Sequence, residues 1–104
     1  MTVATIGERQ VHVDDEGFLT DPAEWDEALA EILASNIGIE LTDAHWRAIR
    51  FAREDHAANG ETPTLRRMGT AGGVPTKDMF ALFPKKPAKK MAYVAGLPKP
   101  VGCV

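Results

Sequence analysis

A single cysteine, Cys103, stands one residue from the end of a 104-residue chain, and this limits how the chain can be held together. One thiol makes no internal disulfide, so stability has to come from a hydrophobic core. The 44% hydrophobic content suits one such core and one small domain. Cys103 is not expected inside it. It closes the tail Gly96-Leu97-Pro98-Lys99-Pro100-Val101-Gly102-Cys103-Val104, whose prolines fix φ near the polyproline value and remove two backbone donors. Such a tail neither continues a helix nor takes a central place in a sheet. The expected organisation is one domain over residues 1–95 and a flexible arm over 96–104, with Gly96 as its hinge. Extended from Leu97 to Cys103, the arm would reach roughly 20 Å, enough to enter a partner's pocket.

The body reads as α+β: a small N-terminal antiparallel β-meander of two or three strands packed on about five short helices. Weak alternation runs through Val3, Thr5, Gln10, His12 and Phe18, and Asp14-Asp15-Glu16-Gly17 has the composition of a hairpin turn. These acids lack further oxygen ligands at calcium-loop spacing, so a turn is expected there and no calcium. Asp21 as N-cap, Pro22 at the first helical position and Glu24 closing a capping box predict a helix to about Ser35. Trp25, Ala28, Leu29, Ile32 and Leu33 would form its apolar stripe. Thr42 caps a second helix, with Leu41 stapled against Trp46, that ends near Asn59-Gly60. A short helix follows Thr62-Pro63-Thr64, Thr70 to Pro75 is a break, and Thr76 caps a helix through Phe83. Pro87 then starts a last helix, Ala88 to Ala95, with Lys85, Lys86, Lys89 and Lys90 as its solvated face.

Charge is unevenly spread. Residues 1–60 carry 13 acids and 4 bases, whereas 61–104 carry 2 acids and 8 bases, so the thiol belongs to the basic half and an acidic partner suits it. No run approaches a membrane span and no charged leader precedes a long apolar stretch, so a cytoplasmic protein without membrane contact is expected. Ser35 has no partners for a nucleophilic triad. His45 and His56, about 16 Å apart along one helix, cannot share a metal, and each histidine reads as structural or exposed. No cofactor and no metal are predicted. Arg47, Arg50, Arg53, Arg66 and Arg67 would suit a helix-turn-helix-like DNA-binding module, but Glu54 and Asp55 interrupt the basic face, so nucleic acid is not the expected partner. Cys103 needs only exposure, a workable pKa and a partner. The Val104 carboxylate disfavours its thiolate while Lys99 favours it.

The tail from Ala88-Lys89 to Val104 resembles that of the DsrC/TusE family of sulfur-relay proteins. So do Gly17-Phe18-Leu19, the Trp25 helix, Gly38-Ile39-Glu40-Leu41-Thr42-Asp43-Ala44-His45-Trp46, Ile49-Arg50-Phe51-Ala52-Arg53, Thr62-Pro63 with Arg66, and Leu82-Phe83-Pro84. The resemblance implies that Cys103 carries sulfane sulfur as a persulfide on an arm made of Gly96, Leu97, Pro98, Lys99, Pro100, Gly102 and Val104. It implies a DsrE/TusD-like or rhodanese-like sulfur donor and an acceptor protein, with transfer toward tRNA 2-thiouridine as in TusE-like members and no independent turnover. Members linked to dissimilatory sulfite reductase carry a second cysteine eleven positions upstream, where this chain has Ala92. An accessory gamma-type subunit of that reductase, or a partner of a heterodisulfide-reductase-like system, is the alternative. Two departures from the family pattern, the short Gly-rich stretch from Met68 to Lys77 and Glu54-Asp55-His56 in place of a more aromatic segment, bear on partner recognition.

Overall fold

The structure, a computed structural model, describes residues 2–98. Strands β1 (Thr2–Ile6) and β2 (Arg9–Val13) pair antiparallel, with Thr2 opposite Val13 and Ile6 opposite Arg9. The two-residue loop Gly7-Glu8 has its positive φ, 64°, at the first position only, the pattern of a type II′ hairpin turn, which requires glycine there. This register turns Ile6, Val11 and Val13 inward and leaves Val3, Thr5, Gln10 and His12 exposed. The expected alternation had therefore picked the outer face of the hairpin, although Phe18, which lies beyond it, is buried. Its period was right, but a period of two does not say which face is buried.

The Asp14–Gly17 turn forms as expected and brings Leu19 back to a single antiparallel bridge with Val13, so the meander is two strands and one bridge. One carboxylate oxygen of Asp14 accepts the N–H groups of Glu16 (2.9 Å) and Phe18 (3.0 Å), fixing the turn from within.

The first helix differs from expectation. Asp21 caps only a 3₁₀ turn, Pro22–Glu24, and the chain extends at Trp25 before Asp26 caps α1, Glu27–Asn36. Glu24 closes no capping box. Its carboxylate instead takes the His12 backbone N–H at 2.8 Å and lies 2.9 Å from His12 Nδ1, tying the turn to β2. Asp26 is the better-placed cap, accepting from Leu29 N–H at 2.8 Å. The buried stripe is Leu29, Ala30, Leu33 and Ala34, while Ala28 is exposed and Trp25 lies outside the helix, free to reach elsewhere.

Helix α2 (Asp43–Asn59) keeps its expected limits, from Thr42 to Gly60, which ends it at φ 75°. His45 completes the capping box: Nδ1 accepts the Thr42 N–H at 3.1 Å, and Nε2 donates to the Leu82 carbonyl at 2.8 Å. The ring meets Phe83 edge-on. Buried and fully bonded, it joins α2 to the chain that follows Leu82, which is the structural role expected of it.

Helices α3 (Leu65–Thr70), α4 (Thr76–Leu82) and α5 (Pro87–Val94) complete the set of five. Pro75 caps α4, so Thr76 is its first residue and not its cap. Lys85 and Lys86 do not lie on a helical face. They form the turn before α5, both left-handed, at φ 57° and 40°.

Two buried clusters share the interior, one beneath the sheet around Val11, Leu29 and Leu33, the other among the helices around Ile49, Met68, Met79 and Met91. Trp25 and Tyr93 touch both. Helix α5, packed on α1, α2 and α4, is the central element, so its C-terminal end leaves the middle of the molecule. No helix among the described residues is long and apolar enough to cross a membrane.

Candidate functional site

Helix α5 ends where the thiol-bearing tail begins. Gly96, at φ 69°, donates its N–H to the Tyr93 carbonyl (3.3 Å), and Leu97 donates to that of Ala92 (3.0 Å). These two bonds make a Schellman motif, which satisfies carbonyls that the last helical turn leaves free.

Two more carbonyls of that turn are taken by side chains far away in sequence. Trp25 Nε1 donates to the Val94 oxygen at 2.8 Å, and Arg53 donates from Nη1 to the Ala95 oxygen at 2.7 Å. The other Arg53 nitrogen holds the Pro22 carbonyl at 3.0 Å, and the guanidinium lies 4.0 Å from the centroid of the Trp25 ring. A cation at this position complements the negative end of α5 and the face of the indole at once. Burial lowers the pKa of Arg53 from its ordinary value, but a guanidinium remains charged in proteins.

Gly96 fits this arrangement for a second reason. A β-carbon there would lie 2.4 to 2.7 Å from three atoms of Trp25, so the absence of a side chain lets backbone and indole meet. Leu97 is buried in the helical cluster, and Pro98, which is exposed, has its carbonyl held by Thr62 Oγ1 at 2.7 Å.

Gly96 ends α5 against Trp25 and Leu97 is buried in the helical cluster, so contacts with the body continue to Pro98, past the expected start of the arm at residue 96. Lys99, Pro100, Gly102, Cys103 and Val104 lie outside the described residues.

In the sequence Trp25 read as part of a helical apolar stripe, Arg53 as one of five arginines considered for DNA, and Thr62 as a position resembling a family position; none was read as a partner of the end of the last helix. The available signal for Arg53 was its place beside Ile49 and Ala52 on a helix with a buried face. Thr62 opens onto a groove of about 550 Å³. On its far side Asp55, itself buried, accepts Asn59 Nδ2 at 2.8 Å and Arg67 Nη2 at 2.9 Å. The pKa of Arg67 is raised by this bond to Asp55.

The five arginines considered for DNA do not form a common face. Arg53 points inward, Arg67 is held by Asp55, and Arg50 pairs with Glu27 at 3.6 Å. Ala92, where the sulfite-reductase-linked pattern has a second cysteine, is fully buried. Among the described residues no three His, Cys, Asp or Glu side chains gather as a metal site.

The chain is similar throughout to one group of proteins. The family described as "DsrC like protein" matches residues 5–104. Sulfurtransferase TusE of Salmonella typhimurium is 38% identical over 104 residues, covering 92% of this chain and 94% of that protein. The Escherichia coli K12 protein of the same name is 36% identical with the same coverage. Among solved structures, Allochromatium vinosum DsrC superposes with a TM-score of 0.80 at 34% identity, over 98% of this chain and 97% of that one. The oxidized gamma-subunit of the dissimilatory sulfite reductase (DsrC) from Archaeoglobus fulgidus gives 0.77 at 35%, over 99% and 100%. Dissimilatory sulfite reductase I (DsrI) gives 0.83 at 31%, over 99% and 100%.

Proposed function

The chain belongs to the DsrC-like family and has a sulfur-relay role, and on that basis we propose that Cys103 is the group that carries the sulfur. The Cys103 thiolate attacks the outer sulfur of a persulfide on a donor protein. A new S–S bond forms at Cys103, the donor's S–S bond breaks, and the donor cysteine leaves as its thiolate, so no net oxidation occurs. The same exchange with an acceptor thiolate discharges the carrier. A DsrE/TusD-like or rhodanese-like protein is the donor, and the acceptor leads toward tRNA 2-thiouridine.

The observation that supports this reading most is the joining of a lone, penultimate thiol to a fixed anchor. Six residues, 99–104, follow a backbone held by Trp25, Arg53 and Thr62. They span up to about 20 Å, so Cys103 is confined near one end of α5 while still able to visit two partners in turn. With alanine at position 92, buried and without sulfur, the carrier cannot close an internal disulfide.

The test is intact mass spectrometry of reduced protein after exposure to a persulfidated donor. A gain of one sulfur atom on the wild type and none on Cys103→Ser is expected; equal gain on both would move the acceptor elsewhere. Similarity to DsrI and to the Archaeoglobus gamma-subunit favours a second reading, an accessory role beside a sulfite reductase. Copurification with that reductase would select it.

A further inference from the structure

Phe80 is one of only two large apolar side chains that stand clearly exposed among the described residues, with 48% of its surface in water. It lies on α4, whose Met79 and C-cap Phe83 are buried. Helical spacing therefore sets Phe80, Lys77 and Ala81 on the opposite, outward side, where all three are exposed.

Beside them Ala81 and Leu82 form one wall of a groove of about 260 Å³, with Ala44, Val74 and the Arg47 side chain opposite. The chain then leaves α4 through Pro84 into the Lys85-Lys86 turn. Both lysines are exposed and neither ammonium group makes a hydrogen bond or ion pair among the described residues, whereas the Lys89 ammonium reaches Glu16 and that of Lys90 the Pro84 carbonyl.

Left-handed backbone is unfavourable for a residue with a β-carbon, and here two such residues are consecutive. Glycine would relieve that cost, but would not place two ammonium groups at the end of an apolar face.

We infer that this surface, with Phe80 as anchor, the Ala81 groove beside it and Arg47, Lys77, Lys85 and Lys86 around it, docks the sulfur-donor protein through an acidic, apolar-centred patch on that partner. The inference rests on the sulfur-relay reading above. Charge complementarity names the partner: Arg47 lines the groove beside its single acid, Asp78, Lys77 shares the outward side of α4 with Phe80, and Lys85 and Lys86 follow at the end of that helix. Position supports it. The eight residues of α5 separate the lysine turn from the root of the arm, about 12 Å along the helix. That separation is shorter than the roughly 20 Å span of residues 99–104, so a donor docked there is within reach of the arm, and docking raises the effective concentration seen by Cys103.

The experiment compares loading of full-length wild type, Phe80→Ala and Lys85→Gln/Lys86→Gln from two sulfur sources: a persulfidated donor protein selected because it loads the wild type, and inorganic polysulfide, which needs no docking. Protein-dependent loading should fall roughly tenfold in each variant, with the lysine effect shrinking as salt rises, while polysulfide loading stays unchanged. Thermal melts confirm folding, since every substituted side chain is exposed. Equal loading of wild type and variants from the donor would overturn the docking surface and leave the relay intact. Failure of every candidate donor to load the wild type would remove the relay reading and this partner with it. Retention of wild type on tRNA that the lysine variant loses, with donor loading unaltered, would assign the turn to RNA phosphate and overturn the acidic-protein assignment.

Discussion

Gly96→Ala tests the anchor of the arm quantitatively, because this chain supplies its own control. Gly96 and Gly60 both end helices in the left-handed region, at φ 69° and 75°. A β-carbon at position 60 meets nothing within 4 Å, whereas at position 96 it lies 2.4 Å from Trp25 Cδ1. Alanine at either site incurs the left-handed cost, about 1–2 kcal/mol, offset slightly in both by lower entropy of the unfolded chain.

Only at position 96 must the indole also move. That movement breaks the Trp25 bond to Val94, worth about 0.5–1.5 kcal/mol, and the Arg53 stacking, worth about 0.5–2 kcal/mol. Gly60→Ala should therefore lose about 1–2 kcal/mol and Gly96→Ala about 2–5 kcal/mol, a gap of at least about 1 kcal/mol. Urea unfolding followed by tryptophan fluorescence measures both, with Trp25 itself reporting the displacement. Equal losses at the two glycines would refute the close contact and with it the pinned arm root.

Three further outcomes follow from other parts of the molecule. Asp55→Ala leaves Arg67 and Asn59 without their shared acceptor at a buried site, and should cost about 1–3 kcal/mol by urea unfolding, the half-exposed Arg67 tempering the loss. His45→Ala removes the bonds to Thr42 and to the Leu82 carbonyl, with an expected loss of about 1–3 kcal/mol; a neutral result would mean that water replaces the imidazole freely. Hydrogen bonding from His12 lowers the pKa of Glu24, and the N-cap bond from Leu29 lowers that of Asp26. Both carboxylates thus contribute stability that is present above their ordinary values of 4.5 and 3.8 and lost as pH falls through the lowered folded values. Glu24→Gln should flatten the acid limb of a thermal-midpoint profile, and an unchanged limb would contradict the assignment.

What the sequence made legible followed from local chemistry. Both limits of α2 were readable because Thr42 and Gly60 act on their own backbone, and Pro87 marked the start of α5 for the same reason. The first helix was misread because two aspartates compete as caps. The contest is decided by a contact across twelve residues, the capture of Glu24 by His12, which no helical pattern contains. The buried face of the hairpin was hidden because alternation fits either face and Gly7, which sets the register, was not recognised as its turn. Gly96-Leu97-Pro98 has the composition of a linker, but the side chains that hold the backbone from Val94 to Pro98, those of Trp25, Arg53 and Thr62, lie 36 to 69 residues from the carbonyls they bind. They tie the start of that apparent linker to the body. Cys103 lies outside the described residues, and the role proposed for it rests on its solitude and position in the sequence.

The central claim is that Cys103 both receives sulfur and gives it up. Its most direct measurement follows radiolabelled sulfur in two stages, first from a persulfidated donor to the purified chain, then from the reisolated chain to an acceptor thiol. The account predicts label on wild type but not on Cys103→Ser, with both proteins melting at the same temperature, and nearly complete release of that label to the acceptor. Label on Cys103→Ser, or label that stays on the wild type when the acceptor is added, would contradict it.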